Sequence, residues 1–367
     1  MLNCTIPDGS FTANPDIAGP GVLAAFFFTA AITIIAVVFG YLTGSLDGDF
    51  LNDLDYVAIK GAKVLGNKLR RKSPDIEAPE PSPKSNQARK EAIQQFILAL
   101  SDQQLVTGLA LLVCGVLNQE SVSVYENSVL LSLAWFSSTT HLATLDALRT
   151  HLKTHGVIKH IRVVGMVCVL TLLSYTFCIN IIAMDKKSST VPVQCLFSDT
   201  LGDLPGPTGP PDVIPILALL LVFAGYLVRI LDLYSEYGPS SYLYATLEYI
   251  LIHRRPGPNQ EYSSLMAEHQ AASLVRSLKT IGKFRTKIPK YSKLLEALYA
   301  YDASFLSSLQ SIAFSFTYGI CQVANYRVVL APDLSAASNY MGFGQMMAVF
   351  LLLLPFLSAG ETYYGIT

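Results

Sequence analysis

The sequence predicts an all-α fold, a polytopic membrane bundle of about seven transmembrane helices. Three observations predict it. First, 51% of the 367 residues are hydrophobic and 14% are charged, with a mean hydropathy of +0.41, whereas soluble domains carry about a quarter charged residues. Second, seven runs approach the roughly 20 apolar residues that cross a bilayer. Third, the positive charges fall on one side of the predicted bundle.

The seven apolar runs define the predicted helices. The second run is short and is predicted to begin inside 94–100. The first run has no basic segment before it and is too long for a cleaved signal peptide. The runs are Gly21–Gly44, Leu105–Leu117, Val129–Leu148, Val163–Met184, Val213–Leu233, Phe305–Asn325 and Phe343–Leu357.

Lysine and arginine set the predicted orientation. Three loops, 44–104, 149–162 and 235–303, hold 22 of the 26 basic residues, and basic loops stay in the cytosol. The N-terminus is therefore predicted to be lumenal and the C-terminus cytosolic.

Two lumenal features agree with this orientation. Asn3 begins an "NCT" glycosylation sequon. Cys4 and Cys195 are both predicted to be lumenal, where they either form a disulfide or remain two free thiols.

The chain divides into four predicted parts. Residues 1–20 are a lumenal tail and 21–44 the first transmembrane helix. Residues 45–100 are a cytosolic segment, with an amphipathic helix over 45–70 and a Pro- and charge-rich disordered linker over 72–90. Residues 101–367 hold the other six helices and a cytosolic insertion at 235–302. The predicted location is integral to the endoplasmic reticulum membrane, with the plasma membrane as the alternative.

The third predicted helix is unusually polar. The stretch "SLAWFSSTTHLATLDALRTHL" puts hydroxyls, His141 and Asp146 on more than one helical face, which predicts a central helix contacted by protein on most sides. His141 is either a proton relay or substrate contact, or the commoner interhelical hydrogen bond. Asp146 can pair locally with Arg149.

The sixth predicted helix carries one polar stripe through the membrane, either the wall of a cavity or a surface for close helix packing. Its members recur at alternating steps of four and three, and they are Ser304, Ser308, Ser311, Ser315, Tyr318, Gln322 and Asn325.

Acidic residues fall near the predicted helix ends. Glu126 and Asn127 are predicted to cap the third helix, and Ser101, Asp102 and Gln104 fit a cap of the second. Five acids at the cytosolic ends either cap or pair locally, or together ring a mouth that opens to the cytosol. These five are Asp102, Asp146, Asp232, Asp302 and Glu361.

Several function classes lack their sequence signals. The chain has no HExxH, GxSxG, Walker A or GxGxxG motif and no cysteine–histidine cluster with zinc spacing. The seventh run has no lysine for a retinal Schiff base, and there is no basic block for nucleic acid. We expect no cofactor, no metal and no nucleic-acid partner; the expected partners are the lipid bilayer and a lipophilic small molecule.

Four strings carry a family resemblance: "PDIAGPGV", "LSDQQLVTG", "LAWFSSTTHLATLDALR" and "GFGQMMAVFLLLLPF". Together they resemble a set of fungal seven-helix integral membrane proteins, over nearly all of the membrane part. Some members of this group resemble the membrane-bound terpene cyclases of fungal meroterpenoid pathways, of the ascofuranone and macrophorin type. Those cyclases act on a farnesyl chain attached to an aromatic or quinone head, often as a terminal epoxide.

The resemblance implies a metal-independent cyclase that starts its reaction by protonation. The implied catalytic residues are Asp102, Asp146 and Asp302, with His141 as a partner. The implied substrate-binding residues are Gln104, Trp135, Ser311, Ser315, Tyr318 and Gln322. The alternatives are an orphan seven-helix receptor and a non-catalytic membrane scaffold or transporter.

Overall fold

A computed structural model describes residues 13–46, 51–69, 83–186, 190–197, 213–234, 301, 304–330 and 343–366. These residues are almost entirely helical, and the described part contains no β-strand apart from one isolated bridge. The α-helices are α1 Pro15–Ala18, α2 Pro20–Thr43, α3 Asp53–Leu69, α4 Pro83–Leu117, α5 Val124–Ala147, α6 Arg149–Thr154, α7 Gly156–Lys186, α8 Val213–Tyr234, α9 Phe305–Ala324, α10 Phe343–Leu351 and α11 Leu354–Ile366. A 3₁₀-helix covers Val193–Phe197 and a π-helix covers Asn325–Leu330.

Helix α5 is the centre of the bundle. It packs against α2, α4, α7, α8 and α9, and every one of its residues is buried except Asp146. The central position predicted from the two-sided polarity of this helix is therefore confirmed. Because protein surrounds α5, its polar side chains bond either within the helix, as Ser132 and Thr140 do, or to neighbouring helices, as Ser128 and Ser137 do.

Four helices of the described part are long and apolar enough to cross a membrane, which supports an integral membrane protein. They comprise Pro15–Thr43, Gln87–Leu117, Gly156–Ala183 and Gly344–Tyr363, and α8 adds a shorter apolar stretch, Pro215–Leu231. Helix α5 has 24 residues and is long enough to cross a membrane, but its many polar residues make it less apolar than these four helices. Seven spans and the orientation of the termini stay predictions.

Two boundaries differ from the sequence-based expectation. Helix α4 begins at Pro83. The helix therefore overlaps the predicted linker over 72–90, and the prediction that the helix begins inside 94–100 is wrong. The segment after Pro83 is rich in Ala, Lys, Arg, Glu and Gln, which favour a polar helix as much as a linker. The last apolar run is two helices, α10 and α11, with Pro355 in the first turn of α11, where a missing N–H costs little.

The start of α5 is held by a capping box and by the chain before and after it. Glu126 accepts bonds from the main-chain N and the hydroxyl of Ser123, at 2.8 and 2.9 Å, and the Ser123 hydroxyl accepts from the Glu126 N–H. The second carboxylate oxygen of Glu126 accepts from the N–H of Asn14 at 2.6 Å, which fixes α1 against α5. The predicted cap by Glu126 is confirmed.

Helix α3, predicted as an amphipathic surface helix, ties α2 to α9 through one carboxylate. Asp55 is fully buried and accepts from Tyr41 at 3.0 Å and from the first two N–H groups of α9, on Phe305 and Leu306, at 3.1 and 3.3 Å. It also accepts from the N–H of Asn52 at 3.1 Å, which completes a capping box for α3. Asp55 therefore caps two helices that are far apart in the sequence.

Candidate functional site

A histidine lies where α4 and α5 cross. His141 is 1% exposed. Its Nε2 is 3.1 Å from the Ser137 hydroxyl and its Nδ1 is 3.5 Å from the Ser101 hydroxyl. The Thr144 hydroxyl reaches Ser101 at 2.9 Å, so α4 and α5 are joined by a chain of side-chain bonds.

The bond directions assign the tautomer of this histidine. Ser137 donates its hydroxyl hydrogen to the main-chain oxygen of Gln104 at 2.8 Å, so it can only accept from His141 Nε2. Nδ1 is then the acceptor, facing Ser101. Both ring nitrogens are thus satisfied by neutral hydroxyls, Ser137 of α5 itself and Ser101 of α4, and which of its two predicted roles His141 has stays a prediction.

Helices α5 and α9 meet through the predicted polar faces. The Trp135 indole N–H donates to the main-chain oxygen of Ser315 at 2.9 Å, and the hydroxyls of Thr139 and Ser315 are 2.7 Å apart. The Trp135 and Tyr318 rings are 4.7 Å apart. Gly319 permits this close approach, because a Cβ there would lie 2.9 Å from Phe136.

The stripe on α9 is only partly buried. Ser315 and Gln322 are buried. The side-chain oxygen of Gln322 has no hydrogen-bond partner among the described residues. Ser311, one of the implied substrate contacts, lies on the exposed side of α9. The stripe thus packs against α5 at Ser315, and the cavity wall that it could form elsewhere stays a prediction.

The implied catalytic acids are engaged by arginine. Asp102 lies inside α4, not at its start as predicted, and it forms an ion pair with Arg162 of α7. Asp146 forms an ion pair with Arg229 of α8 at 2.9 Å, a partner that local spacing did not predict. Asp302 lies outside the described residues. Of the three implied acids, Asp102 and Asp146 are therefore each paired with an arginine of another helix, and the catalytic role of all three stays a prediction.

The lumenal features are described in part. Cys195 is buried and disulfide-bonded. Cys4, its predicted partner, and Asn3, the predicted glycosylation site, lie outside the described residues, so the pairing and the glycosylation stay predictions. Within the described ranges, no group of three or more His, Cys, Asp or Glu side chains is arranged to hold a metal ion.

An apolar cleft with a volume of about 260 Å³ lies between α2, α4 and α10. Each helix contributes one face, at steps of three and four residues. From α2 come Val22, Ala25, Phe26 and Thr29; from α4 come Gln103, Gln104, Thr107, Ala110, Leu111 and Cys114; from α10 come Gly344, Met347, Ala348 and Leu351; and Asp16 of α1 lies at one end.

The helix directions order the groups along the cleft. A Cβ at Gly40 of α2 would lie 3.5 Å from Ile93 of α4, so α2 and α4 are antiparallel, with the later part of α2 beside the earlier part of α4. Thr29 and Gln104 are therefore at the same level. A Cβ at Gly344 would lie 2.9 Å from an Asp16 carboxylate oxygen. The cleft thus runs from the two glutamines at one end to Asp16 at the other.

Near Asp16, the start of α2 is capped by a side chain of α10. Gln345 of α10 is fully buried and accepts from the N–H of Gly21 at 2.9 Å. This bond satisfies a free N–H in the first turn of α2, whose N-cap residue, Gly19, has no side chain to do so. A Cβ at Gly21 would lie 2.7 Å from Gln345, so glycine is required for α10 to lie this close.

The sequence reasoning named Gln104 but missed Asp16 and Asp55. Asp16 belongs to the string "PDIAGPGV", but its spacing in the sequence indicates no functional role for it. One sequence signal could have identified Asp55 as a helix cap, namely the Asn52–x–x–Asp55 spacing of a capping box. The amphipathic pattern of α3 alone does not indicate it.

Comparison with known proteins gives one partial similarity. The chain is 29% identical over 124 residues to a protein of Elsinoe fawcettii named Elsinochromes biosynthesis cluster protein HP3. The match covers 34% of this chain and 42% of that protein, so the chain spans less than half of this relative. No known protein family and no solved structure matches the chain.

Proposed function

We propose that the chain is a membrane-bound terpene cyclase of fungal secondary metabolism, which takes a farnesylated aromatic molecule into the cleft and cyclises it after protonation. One observation carries this proposal. Three of the four strings that carry the family resemblance, distant in the sequence, line the cleft with residues that include Asp16, Gln104 and Met347. The similarity to a protein named for a fungal biosynthesis cluster supports the metabolic setting.

The cleft is suited to a ligand that arrives from the bilayer. Only 6% of the Gly344–Tyr363 span is buried, and its outward side chains include Phe350 and Phe356, which are 58% and 51% exposed. One helix thus separates the cleft from lipid. A lipophilic molecule can enter beside this helix without crossing water.

Asp16 is the carboxyl among the residues that line the cleft. An apolar ligand that covers a carboxyl favours its neutral, proton-donating form. In the proposed reaction, Asp16 gives its proton to the oxygen of a terminal epoxide. The carbon–oxygen bond breaks, an alkene of the chain forms the ring bond, and a neighbouring carbon loses a proton, so the product is an isomer of the substrate.

This assignment replaces the acids that the resemblance implied. Asp102 and Asp146 are each bound by an arginine and neither lines the cleft. Trp135 and Tyr318 contact each other between α5 and α9, so Phe26 is the aromatic ring that faces a ligand in the cleft.

A second candidate is a carrier or scaffold that binds the same molecule without changing it. The observation in its favour is that Asp16 is exposed and lies at the end of the cleft. In that case the cleft would bind the ligand and Asp16 would have no effect on its chemistry.

Turnover separates the two candidates. Membranes from yeast that express the chain would be given a farnesylated phenol and its terminal epoxide, and products would be analysed by mass spectrometry and NMR. We expect a cyclised isomer that empty membranes do not make. Asp16→Asn should lower its formation by about 10²-fold or more, the usual contribution of a general acid, while Asp53→Asn, an exposed aspartate of α3, should not.

The outcomes are distinct. Binding without any isomer would establish the carrier and exclude the cyclase. Full turnover by Asp16→Asn would refute the role of Asp16. Neither binding nor turnover would overturn both candidates.

A further inference from the structure

We infer that the cleft recognises its ligand through a hydroxyl group that donates a hydrogen bond to the side-chain oxygen of Gln104, beside that of Gln103. The ligand head is then a phenol or hydroquinone, and not a quinone or a fully alkylated ether. This inference rests on the proposed function, because it specifies which molecules the same cleft accepts.

The first observation is that the side-chain amide oxygens of Gln103 and Gln104 are buried without a hydrogen-bond partner among the described residues. Gln104 is 2% exposed, and its side-chain oxygen has no hydrogen-bond partner among the described residues. The side-chain oxygen of Gln103 is likewise buried without a partner in the described part of the chain. Both residues line the cleft. A buried acceptor without a partner costs free energy, and a donor on a ligand would remove that cost.

The second step is that neighbouring hydroxyls do not supply the donor. Thr29 donates to the main-chain oxygen of Ala25 at 2.7 Å, and Thr107 donates to that of Gln103 at 2.8 Å. Each threonine is thus satisfied within its own helix. The lining residues offer two open acceptors and no free hydroxyl donor to fill them.

The third step is that the backbone carrying Gln104 is fixed. Its main-chain oxygen accepts from Ser137 at 2.8 Å, and Ser137 is in turn bonded to His141. Gly108 allows this contact, because a Cβ there would lie 2.8 Å from the Ser137 Cβ. The amide is therefore presented from a rigid crossing of α4 and α5, which favours a preorganised site.

The position of the amides gives the pose of the ligand. Gln104 and Cys114 line the same face of α4, and ten residues of helix extend about 15 Å. A head bound at Gln104 would direct an apolar chain along Ala110 and Leu111 toward the Asp16 end. The far end of the chain would then lie beside the carboxyl proposed to protonate it.

The test compares three ligands of nearly equal shape on the purified full chain in phosphatidylcholine nanodiscs. They are a farnesylated phenol, its O-methyl ether and the corresponding farnesylated quinone, each measured by equilibrium binding. We expect the phenol to bind about tenfold more tightly than the ether, the effect of one added hydrogen bond. The quinone, which carries only acceptors, should bind no better than the ether.

Variants locate the effect. Gln104→Leu should weaken phenol binding to the level of the ether and leave ether binding unchanged. Gln104→Glu, which keeps an acceptor, should retain the preference. Thr317→Val is the matched control, because the Thr317 hydroxyl is likewise bonded within its own helix, α9, and does not line the cleft, and it should also retain the preference. Size-exclusion profiles would confirm that each variant is folded.

Equal affinities for phenol and ether in the unmodified chain would overturn this inference while leaving binding in the cleft intact. A preference that persists in Gln104→Leu would also overturn it, since the donor would then be recognised elsewhere. Absence of binding by all three ligands would overturn the proposed function and this inference together.

Discussion

Asp55→Ala tests whether one carboxylate joins three helices at the end of the bundle. Asp55 is fully buried. Its side chain accepts from Tyr41, from Phe305 and Leu306 of α9, and from Asn52, at 3.0 to 3.3 Å. Alanine would remove all four bonds and the negative charge at the start of α9, where the helix dipole favours an anion.

The magnitude follows from the groups left behind. Each buried donor without a partner costs about 1–3 kcal/mol, and removing one member of a buried charged network costs about 3–5 kcal/mol. The free N–H groups lie at a helix start that water can reach after truncation, so we expect about 3 kcal/mol, the lower end of that range. At roughly 2 °C per kcal/mol for a chain of this size, the melting temperature should fall by about 6 °C.

The assay is thermal unfolding of the purified protein in detergent, followed by loss of the monodisperse peak. The matched control is Asp53→Ala, which changes the same residue type in the same helical turn at an exposed position. It should shift the melting temperature by less than about 1 °C, as surface substitutions usually do. Equal shifts for Asp53→Ala and Asp55→Ala would refute the reasoning.

Three further predictions use the same measurement. Gly108→Ala should destabilise by about 1–3 kcal/mol because its Cβ separates α4 from α5, whereas Gly61→Ala, with open space around it, should not destabilise; equal effects would contradict the close crossing. His141→Leu should cost about 1–3 kcal/mol by leaving the buried Ser101 hydroxyl hydrogen without its acceptor, and an unchanged melting temperature would refute its bridging role. Arg229→Leu should cost about 3–5 kcal/mol by leaving Asp146 unpaired, and adding Asp146→Leu should restore much of that loss; a double variant no better than the single one would argue against the ion pair.

The all-α class and the central position of α5 could be predicted from the sequence, because both depend on local pattern. Apolar runs place the spans, and polarity on two faces of α5 predicts burial whichever helices surround it. The start of α4 was missed because a polar helix and a polar linker share a composition. The residues after Pro83 contain nothing that separates the two without tertiary context.

The candidate site was harder to predict, because its walls are assembled from distant segments. Local spacing pairs Asp146 with Arg149, three residues later, but its ion-pair partner Arg229 lies in α8 and could be found only from packing. Asp16 of α1 and Gln104 of α4 line the same cleft, and no periodicity in the sequence relates the two residues. The lining residues of each helix recur at regular steps of three and four. The pattern of one helix does not show which face of another helix lies opposite it.

The complete enclosure of α5 has a consequence for biogenesis. A segment that partitions from the translocon into lipid by itself must present an apolar surface, yet α5 carries serines, threonines and His141 on the faces that its neighbours cover. Helices α7, α8 and α9, which cover much of it, are synthesised later. If α5 crosses the membrane as predicted, the nascent chain would have to hold it at the insertion machinery until those partners emerge, and a chain interrupted between α5 and α7 would expose a polar segment to quality control.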